Sequence, residues 1–320
     1  MVAGVRCPVS GERIRAMICG LTLCGVLVSA TARAQEPQPE ATSLLGKPLY
    51  ATPVSAESRV RLEENLERAR AEYEKNPTDA ETIIWLGRRT AYLGRYRDAI
   101  AIFSEGIQKH PGDARMYRHR GHRYLTVREL EHAIADLEKA AELIASKPDE
   151  VEPDGQPNPQ NIPTSTLQSN IWYHLGLAHY LTGDFAHARF AYSEGLEVSK
   201  NDDMLVATAN WLYLTLRRLG RDEEARALLA RIQPEMNIIE NHAYHKLLLL
   251  HKGVILPDDV LAGGQGDLDR ATLGYGVGIY YLLNGRSDKA RMLFEEIVAG
   301  PLWPAFGHLA AEAESARIAR

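Results

Sequence analysis

The chain has 320 residues, of which 45% are hydrophobic and 25% are charged. This composition is typical of soluble folded proteins and argues against a fibrous or mainly disordered chain. The formal net charge of −5 makes nucleic acid a poor candidate partner, because proteins that bind it concentrate positive charge.

The N-terminal segment, residues 1–34, has the pattern of a secretory signal peptide. Arginines flank an apolar run at 16–30, and a small-x-small cleavage signal follows at 32–34. The run is shorter than the roughly 20 apolar residues that a membrane span needs. We therefore expect an exported protein, periplasmic or secreted, with no transmembrane span after signal removal. An uncleaved N-terminal anchor is the alternative.

The three cysteines, Cys7, Cys19 and Cys24, all lie in this segment. The mature chain would therefore contain no thiol. Disulfides, thiolate zinc sites and cysteine nucleophiles are excluded together, and the fold must depend on packing.

Residues 35–57 are rich in proline and predict an extended linker. From about residue 58 the pattern is helical to the end of the chain. A charged amphipathic helix is predicted at 59–74, and the sequence Asn76-Pro77 ends it.

A repeat follows this first helix. The small residues Gly87 and Ala99 recur as Gly121 and Ala133, 34 residues later. The sequences FSEGI and YSEGL are near-copies from two different repeats. The pattern predicts three clear repeats and two degenerate ones, at 80–113, 114–147, 169–202, 206–239 and 271–304.

These features resemble the tetratricopeptide repeat (TPR), a pair of antiparallel helices in which small residues permit close packing. The chain is also similar to uncharacterised exported TPR proteins of bacteria. The resemblance implies an all-α fold, a right-handed α-solenoid of about five to six helical hairpins over residues 58–320. A C-terminal helix at about 304–317 is expected to cap the array, with Glu312, Glu314 and Arg317 facing water.

Two stretches depart from the repeat pattern. A Pro-rich acidic insertion at 146–165 shifts the repeat frame, and a loop of this length is either a functional segment, such as a lid, or a solvated surface loop. Residues 236–268 predict a helix at 238–252 without the repeat signature. Pro257 and the two aspartates after it then predict a further helix start.

The resemblance further implies that the first helices of the repeats line a concave groove. Arg115, Arg118 and His122 share one helix face, where like charges repel each other by a few tenths of a kcal/mol per pair. An anionic partner would neutralise them. Alternatively, they pair with acidic residues of neighbouring helices or of the inserted loop.

Arg120, at a normally apolar position, is expected to form a structural ion pair. The predicted partner-binding residues are Arg88, Tyr92, Arg115, Arg118, His122, Tyr173 and Tyr180.

Histidines offer a weaker site. His242 and His245 lie one turn apart beside Glu240, and two histidines at such a spacing can share a metal. Metalloprotease helices space them four apart, however. No catalytic or nucleotide-binding motif is visible, so no enzyme activity and no cofactor are predicted.

The sequence thus favours an exported interaction scaffold that binds an acidic peptide or protein segment in a concave groove. Two alternatives stay open at this point. One is a metal-binding protein or hydrolase that uses Glu240, His242 and His245, and the other is a self-assembling structural module. The oligomeric state is left undetermined.

Overall fold

The structure, a computed structural model, describes residues 38–264 and 266–319. The predicted signal peptide and the three cysteines lie outside these residues. Within them, none of the helices is long and apolar enough to cross a membrane. The elements are β1 (Ala41–Thr42), β2 (Pro48–Leu49), α1 (Ala56–Lys75), α2 (Ala80–Tyr92), α3 (Tyr96–Lys109), α4 (Ala114–Thr126), α5 (Leu130–Ile144), α6 (Leu167–Thr182), α7 (Phe185–Glu197), α8 (Asp202–Arg218), α9 (Asp222–Ala230), α10 (His242–His251), α11 (Pro257–Ala262), α12 (Asp267–Leu283), α13 (Ser287–Ala299) and α14 (Phe306–Ile318).

Five antiparallel hairpins correspond to the predicted repeats: α2–α3, α4–α5, α6–α7, α8–α9 and α12–α13. The first two begin where the sequence pattern placed them. Helices α8 and α12 begin four residues earlier than predicted, because Asn201 caps α8 and the turn at Gly266 starts α12. The all-α, TPR-like solenoid is confirmed.

Glycines on the first helices α2, α4, α6 and α12 admit large residues from the second helix of the same hairpin, as the repeat pattern predicts. A Cβ atom added to Gly87 would lie 2.5 Å from the ring of Phe103, and one added to Gly176 would lie 2.6 Å from the ring of Tyr192. Phe103 and Tyr192 are both fully buried. Close backbone approach therefore fixes the spacing within the hairpins.

The prediction of an extended linker at 35–57 is wrong for its described part. Strands β1 and β2 pair antiparallel, and Ala41 is buried in the same apolar cluster as Trp303. The indole nitrogen of Trp303 donates to the carbonyl of Tyr50 at 2.6 Å. Prolines gave this segment its linker-like composition, but long-range contacts order it.

The prediction for the terminal helix is half right. Helix α14 packs on α12 and α13, as a cap would, but it also contacts α6. Glu312 and Glu314, expected in water, are 0% and 1% exposed. Helix α14 therefore lies along the inner face of the array, the face formed by the first helices of the hairpins.

Helices α10 and α11 form the irregular insertion between the fourth and fifth hairpins. Helix α10 packs on α8 and α12, and α11 packs on α12. The helix start at Pro257 is confirmed, with the proline in the first turn of α11. The helix predicted at 238–252 is shorter than expected, because the backbone amides of 239–241 are held by the carboxylate of Asp203 instead.

Candidate functional site

Arg115 already has carboxylate partners within the chain. Its guanidinium donates hydrogen bonds to both carboxylate oxygens of Asp113, the N-cap residue of α4, and a further one to Glu81 at 2.9 Å. The hydrogen bonds that Asp113 accepts from it raise the pKa of Arg115. The side chain is one-third exposed, so its charge is largely balanced before any partner arrives.

Arg118 is buried beneath the inserted loop. Its guanidinium lies 2.9 Å from a carboxylate oxygen of Glu152, and both side chains are nearly inaccessible. It also contacts His119 Nδ1 at 3.0 Å. Burial lowers the pKa of Arg118. Of the two hypotheses made for this residue, the structure matches internal pairing with the inserted loop.

The inserted loop lies across α2 and α4. Arg88 donates to the carbonyl of Pro153 at 2.7 Å, and its guanidinium stacks 4.4 Å from the ring of Trp85. Gly155 packs so closely that a Cβ atom there would lie 1.9 Å from the Tyr92 hydroxyl. The loop therefore covers the inner face of the first two hairpins.

The remaining predicted groove residues meet other helices. His122 packs against His174, with ring centroids 4.3 Å apart, and against Phe306 at the start of α14. Tyr180 is fully buried, and its hydroxyl lies 2.8 Å from that of Tyr275. These two side chains thus support the packing between helices and are not presented to an external ligand.

Arg120 forms the structural ion pair that the sequence predicts. Its guanidinium makes two hydrogen bonds of 2.7 Å to the carboxylate of Asp136, and Ser104 accepts a third. The pair joins α4 to α5. It is a bidentate arrangement that fixes the hairpin.

Sequence reasoning missed a second buried ion pair, between Arg128 and Glu312. The two side chains are 2% and 0% exposed and 2.6 Å apart. His308 and the backbone amide of Leu44 also bind the Glu312 carboxylate. The acidic helix α14 is therefore held on the inner face by a cation from the α4–α5 turn.

Glu314 is bound in the same way. Arg218 lies 3.2 Å from one of its oxygens and Arg317 lies 2.7 Å from the other. The signal for a buried helix was present, since alanines at 310, 311 and 313 leave α14 without a continuous polar face. The inner face therefore does hold an acidic helical segment, and that segment belongs to the chain itself.

An open cavity lies between the inserted loop and helices α6, α8, α10, α12 and α14, with a volume of about 350 Å³. Aromatic residues form one side of it, and the Tyr173 hydroxyl is fixed by Tyr244 and by the indole of Trp211, each at 2.8 Å. Tyr173 is the predicted groove residue that reaches this cavity. The lining residues are Thr164, Ser165, Ser169, Asn170, Tyr173, His174, Met204, Ala207, Thr208, Glu240, Asn241, Ala243, Tyr244, Leu268, Asp269, Thr272 and Phe306.

The lining of this cavity carries acidic but not basic side chains. Glu240 and Asp269 contribute carboxylates, and the lining residues within the described ranges include no lysine or arginine. Glu240 is exposed and accepts hydrogen bonds from Thr164 and Asn158 of the inserted loop. The open cavity is thus lined by acidic side chains, whereas the arginines of helix α4 predicted a positively charged site.

The weak metal candidates do not form a site. His242 is exposed, whereas His245 is buried and its Nε2 atom donates to the carbonyl of Gln233 at 2.8 Å. Glu240 is directed to the inserted loop. The hypothesis of a hydrolase built on these three residues therefore has no geometric support.

A comparison with protein families matches residues 169–202, the α6–α7 hairpin, to the tetratricopeptide repeat. Similar solved structures include YrrB, described as a TPR protein with an unusual peptide-binding site, at 16% identity over 78% of this chain and 99% of that chain, with a TM-score of 0.42. A tetratricopeptide repeat protein from Parabacteroides merdae is 15% identical over 79% of this chain and 93% of that one, with a TM-score of 0.49. BtubC from P. vanneervenii is 15% identical over 83% and 92%, with a TM-score of 0.44.

No curated protein sequence matches this chain. The assignment rests on the repeat matched at 169–202 and on five helical hairpins that share its architecture. The chain therefore contains a tetratricopeptide repeat at residues 169–202, within an all-α, TPR-like array of helical hairpins.

Proposed function

We propose that this chain is a protein-interaction scaffold whose binding site is the cavity between the inserted loop and helices α6, α8, α10, α12 and α14. The observation that carries the proposal is the combination of an open volume of about 350 Å³ with a fixed aromatic side and polar side chains in its lining. A pocket of this kind binds a side chain and the adjoining backbone of an extended peptide.

The charge of the cavity favours a basic segment. Carboxylates of Glu240 and Asp269 line it without a lysine or arginine among the described lining residues. The aromatic rings of Tyr173, Tyr244 and Phe306 would receive the aliphatic part of a lysine or arginine side chain and its charge. We therefore propose a peptide or protein segment that presents a basic residue.

The acidic-segment hypothesis requires a different event. The arginines of the inner face are bound by Glu152, Glu312 and Glu314. An acidic partner would have to displace the inserted loop or α14 before it reached them. The buried pairs make that displacement costly, so the open cavity supports the basic-segment version better.

Fluorescence anisotropy with labelled nonapeptides tests this proposal. The peptides carry one central lysine, or one central glutamate, in an otherwise identical Leu/Ser/Gly background. We expect the lysine peptides to bind more tightly, and Glu240→Gln to weaken them about fivefold, which corresponds to roughly 1 kcal/mol for a partly exposed charge pair. Glu235→Gln, an exposed glutamate outside the cavity, is the matched control.

A second variant tests the location. Ala207 lines the cavity on α8 and is partly exposed, so Ala207→Trp fills the opening without replacing a buried side chain. We expect it to abolish lysine-peptide binding. Equal affinity for lysine and glutamate peptides would refute the charge preference, and undiminished binding to the filled variant would refute the site.

We also propose that the protein is exported and that cleavage follows residue 34. In support of this, the proposed new N-terminus, Gln35, precedes the contacts of Glu40 and Ala41 in the β1–β2 hairpin by a few residues. Cleavage there leaves the β1–β2 hairpin intact. Mass spectrometry of the protein from the periplasmic fraction tests it: a mature N-terminus at Gln35 is expected, and an intact chain in the cytosol would contradict it.

A further inference from the structure

The turn between α6 and α7 gathers three groups that ligate metals. Donor atoms of His179, Asp184 and His187 all lie within 4.8 Å of one another. The two imidazole rings are stacked, with centroids 5.2 Å apart. The cluster is remote in sequence from the histidines of α10 and does not include residues that line the peptide cavity.

The backbone builds this arrangement. Helix α6 ends at Gly183, whose φ of +89° turns the chain so that the amide of Asp184 donates to the carbonyl of His179 at 2.9 Å. Asp184 then caps α7 by accepting a hydrogen bond from the amide of His187. The end of α6 thus brings Asp184 next to His179, five positions before it. The cap of α7 brings Asp184 next to His187, three positions after it.

The three side chains differ in their present bonding. His187 Nδ1 lies 2.6 Å from a carboxylate oxygen of Asp184, and its side chain is about two-thirds exposed. His179 is 7% exposed, and its Nδ1 atom makes no hydrogen bond to the described residues. This nitrogen lies 3.9 Å from the same Asp184 oxygen. A buried polar atom without a partner is costly, and an ion at this point would give it one.

The electrostatic surroundings suit a cation. Burial lowers the pKa of His179, and the neutral imidazole is the form that binds a metal ion. Glu138 of α5 places a carboxylate oxygen 3.9 Å from its other nitrogen, Nε2. A carboxylate behind a histidine ligand orients the ring and raises its basicity in metal sites.

We propose that His179, Asp184 and His187 form a binding site for a divalent transition-metal ion of the zinc class. His179 Nδ1, Asp184 Oδ2 and a ring nitrogen of His187 supply two nitrogens and one oxygen, and water completes a tetrahedral set. Zinc takes such ligands at about 2.0–2.2 Å. The ion would replace the His187–Asp184 hydrogen bond, and only small rotations at the exposed His187 side chain and at Asp184 are needed.

The preceding repeat provides an internal comparison. At the α4–α5 turn the amide of Glu129 donates to the carbonyl of Tyr124 at 2.9 Å, and His132 Nδ1 lies 2.9 Å from a Glu129 carboxylate oxygen. Glu129 and His132 therefore correspond to Asp184 and His187. Tyr124 occupies the position of His179, so this turn has the hydrogen-bonded pair but lacks the third ligand.

Equilibrium dialysis followed by elemental analysis tests the proposal. The probe is zinc chloride alone, and the sample is the tag-free full chain with its cysteine thiols alkylated. We expect one zinc ion per chain at micromolar concentrations. His187→Ala removes an exposed ligand and should weaken binding at least tenfold without affecting folding, whereas His132→Ala should leave it unchanged. Asp184→Asn should also weaken binding, although asparagine preserves the helix cap.

A spectroscopic measurement identifies the ligands independently. Cobalt(II) bound at a four-coordinate site of nitrogen and oxygen ligands gives visible absorption bands, and we expect them in the wild-type chain and their loss in His187→Ala. The proposal is overturned if no zinc is retained at 100 µM free metal. A dissociation constant on the order of 100 µM is the weakest that would be useful for a site of this kind. Equal weakening by His132→Ala and His187→Ala would overturn it as well.

Discussion

Removal of the Arg128 cation is expected to release α14 from the inner face. Arg128 and Glu312 are 2.6 Å apart and almost inaccessible to solvent. In the variant Arg128→Met the Glu312 carboxylate would keep His308 and the Leu44 amide but lose its full positive partner. An uncompensated buried charge is among the costliest defects that a single substitution produces.

The structure indicates the size of the effect. Burial raises the pKa of Glu312, but hydrogen bonds from His308 and Arg128 outweigh it and lower the pKa from 4.5 to about 2. At about 1.4 kcal/mol for each pH unit, this corresponds to roughly 3 kcal/mol of stabilisation. Because the pKa is lower in the folded chain, the contribution is fully present above about pH 4.5 and is lost as the pH falls toward 2.

Urea denaturation followed by far-UV circular dichroism at pH 7 measures the free energy of unfolding. We expect Arg128→Met to lose about 3 kcal/mol. Arg95→Met, which removes one member of the exposed pair with Asp98, should lose less than about 1 kcal/mol. The double variant Arg128→Met with Glu312→Met should recover part of the loss, because it buries no unpaired charge. A loss below about 1 kcal/mol for Arg128→Met, or no recovery in the double variant, would refute this reasoning.

Two further predictions concern the hairpins and their histidines. Gly87→Ala would place a Cβ atom 2.5 Å from the buried Phe103 ring and should lower the free energy of unfolding, measured by urea denaturation, by about 1–3 kcal/mol. Gly112→Ala, with open space around it, should be neutral. Similar losses for both variants would contradict the packing argument. Burial lowers the pKa of both His119 and His174 well below the ordinary value of 6.5, so the unfolded chain binds more protons below about pH 6.5 and stability should fall with pH there, by up to about 1.4 kcal/mol per pH unit for each histidine. Denaturation midpoints that do not change between pH 7.5 and 5.5 would rule this out.

The hairpins were predictable because their signals are local. Gly87 and Ala99 predict where two helices of one repeat approach each other, and the glycines at 94, 183, 220 and 285 predict the turns between helices. All four have a positive φ in the structure. Once one repeat has been identified, its spacing predicts where the next begins. The positions of most hairpins therefore followed from the sequence.

The site was less predictable because its contacts join distant parts of the chain. Arg118 meets Glu152 only because the inserted loop folds back over α4. Arg128 meets Glu312 across 184 positions. Sequence spacing identified Arg118 as a residue in need of an anion, but it did not identify the anion.

The metal-ligating turn falls between these two cases. Its three residues lie within nine positions of one another, so the local pattern was available. Histidines one turn apart on a single helix are the familiar sequence pattern of a metal site, however, and this cluster spans the end of one helix and the start of the next. Capping geometry supplies the connection, and it is visible in the sequence only when the turn glycine and the N-cap aspartate are considered together.

The sequence by itself determined the all-helical repeat architecture, the positions of the hairpins and the internal pairing of Arg120, because each depends on residues close in the chain. Only the tertiary structure decided what occupies the inner face. Buried cations there require anions, and α14 and the inserted loop supply them from within the chain. Arginines that the sequence predicted for an acidic partner are therefore already paired within the chain, and the open cavity beside them carries acidic side chains.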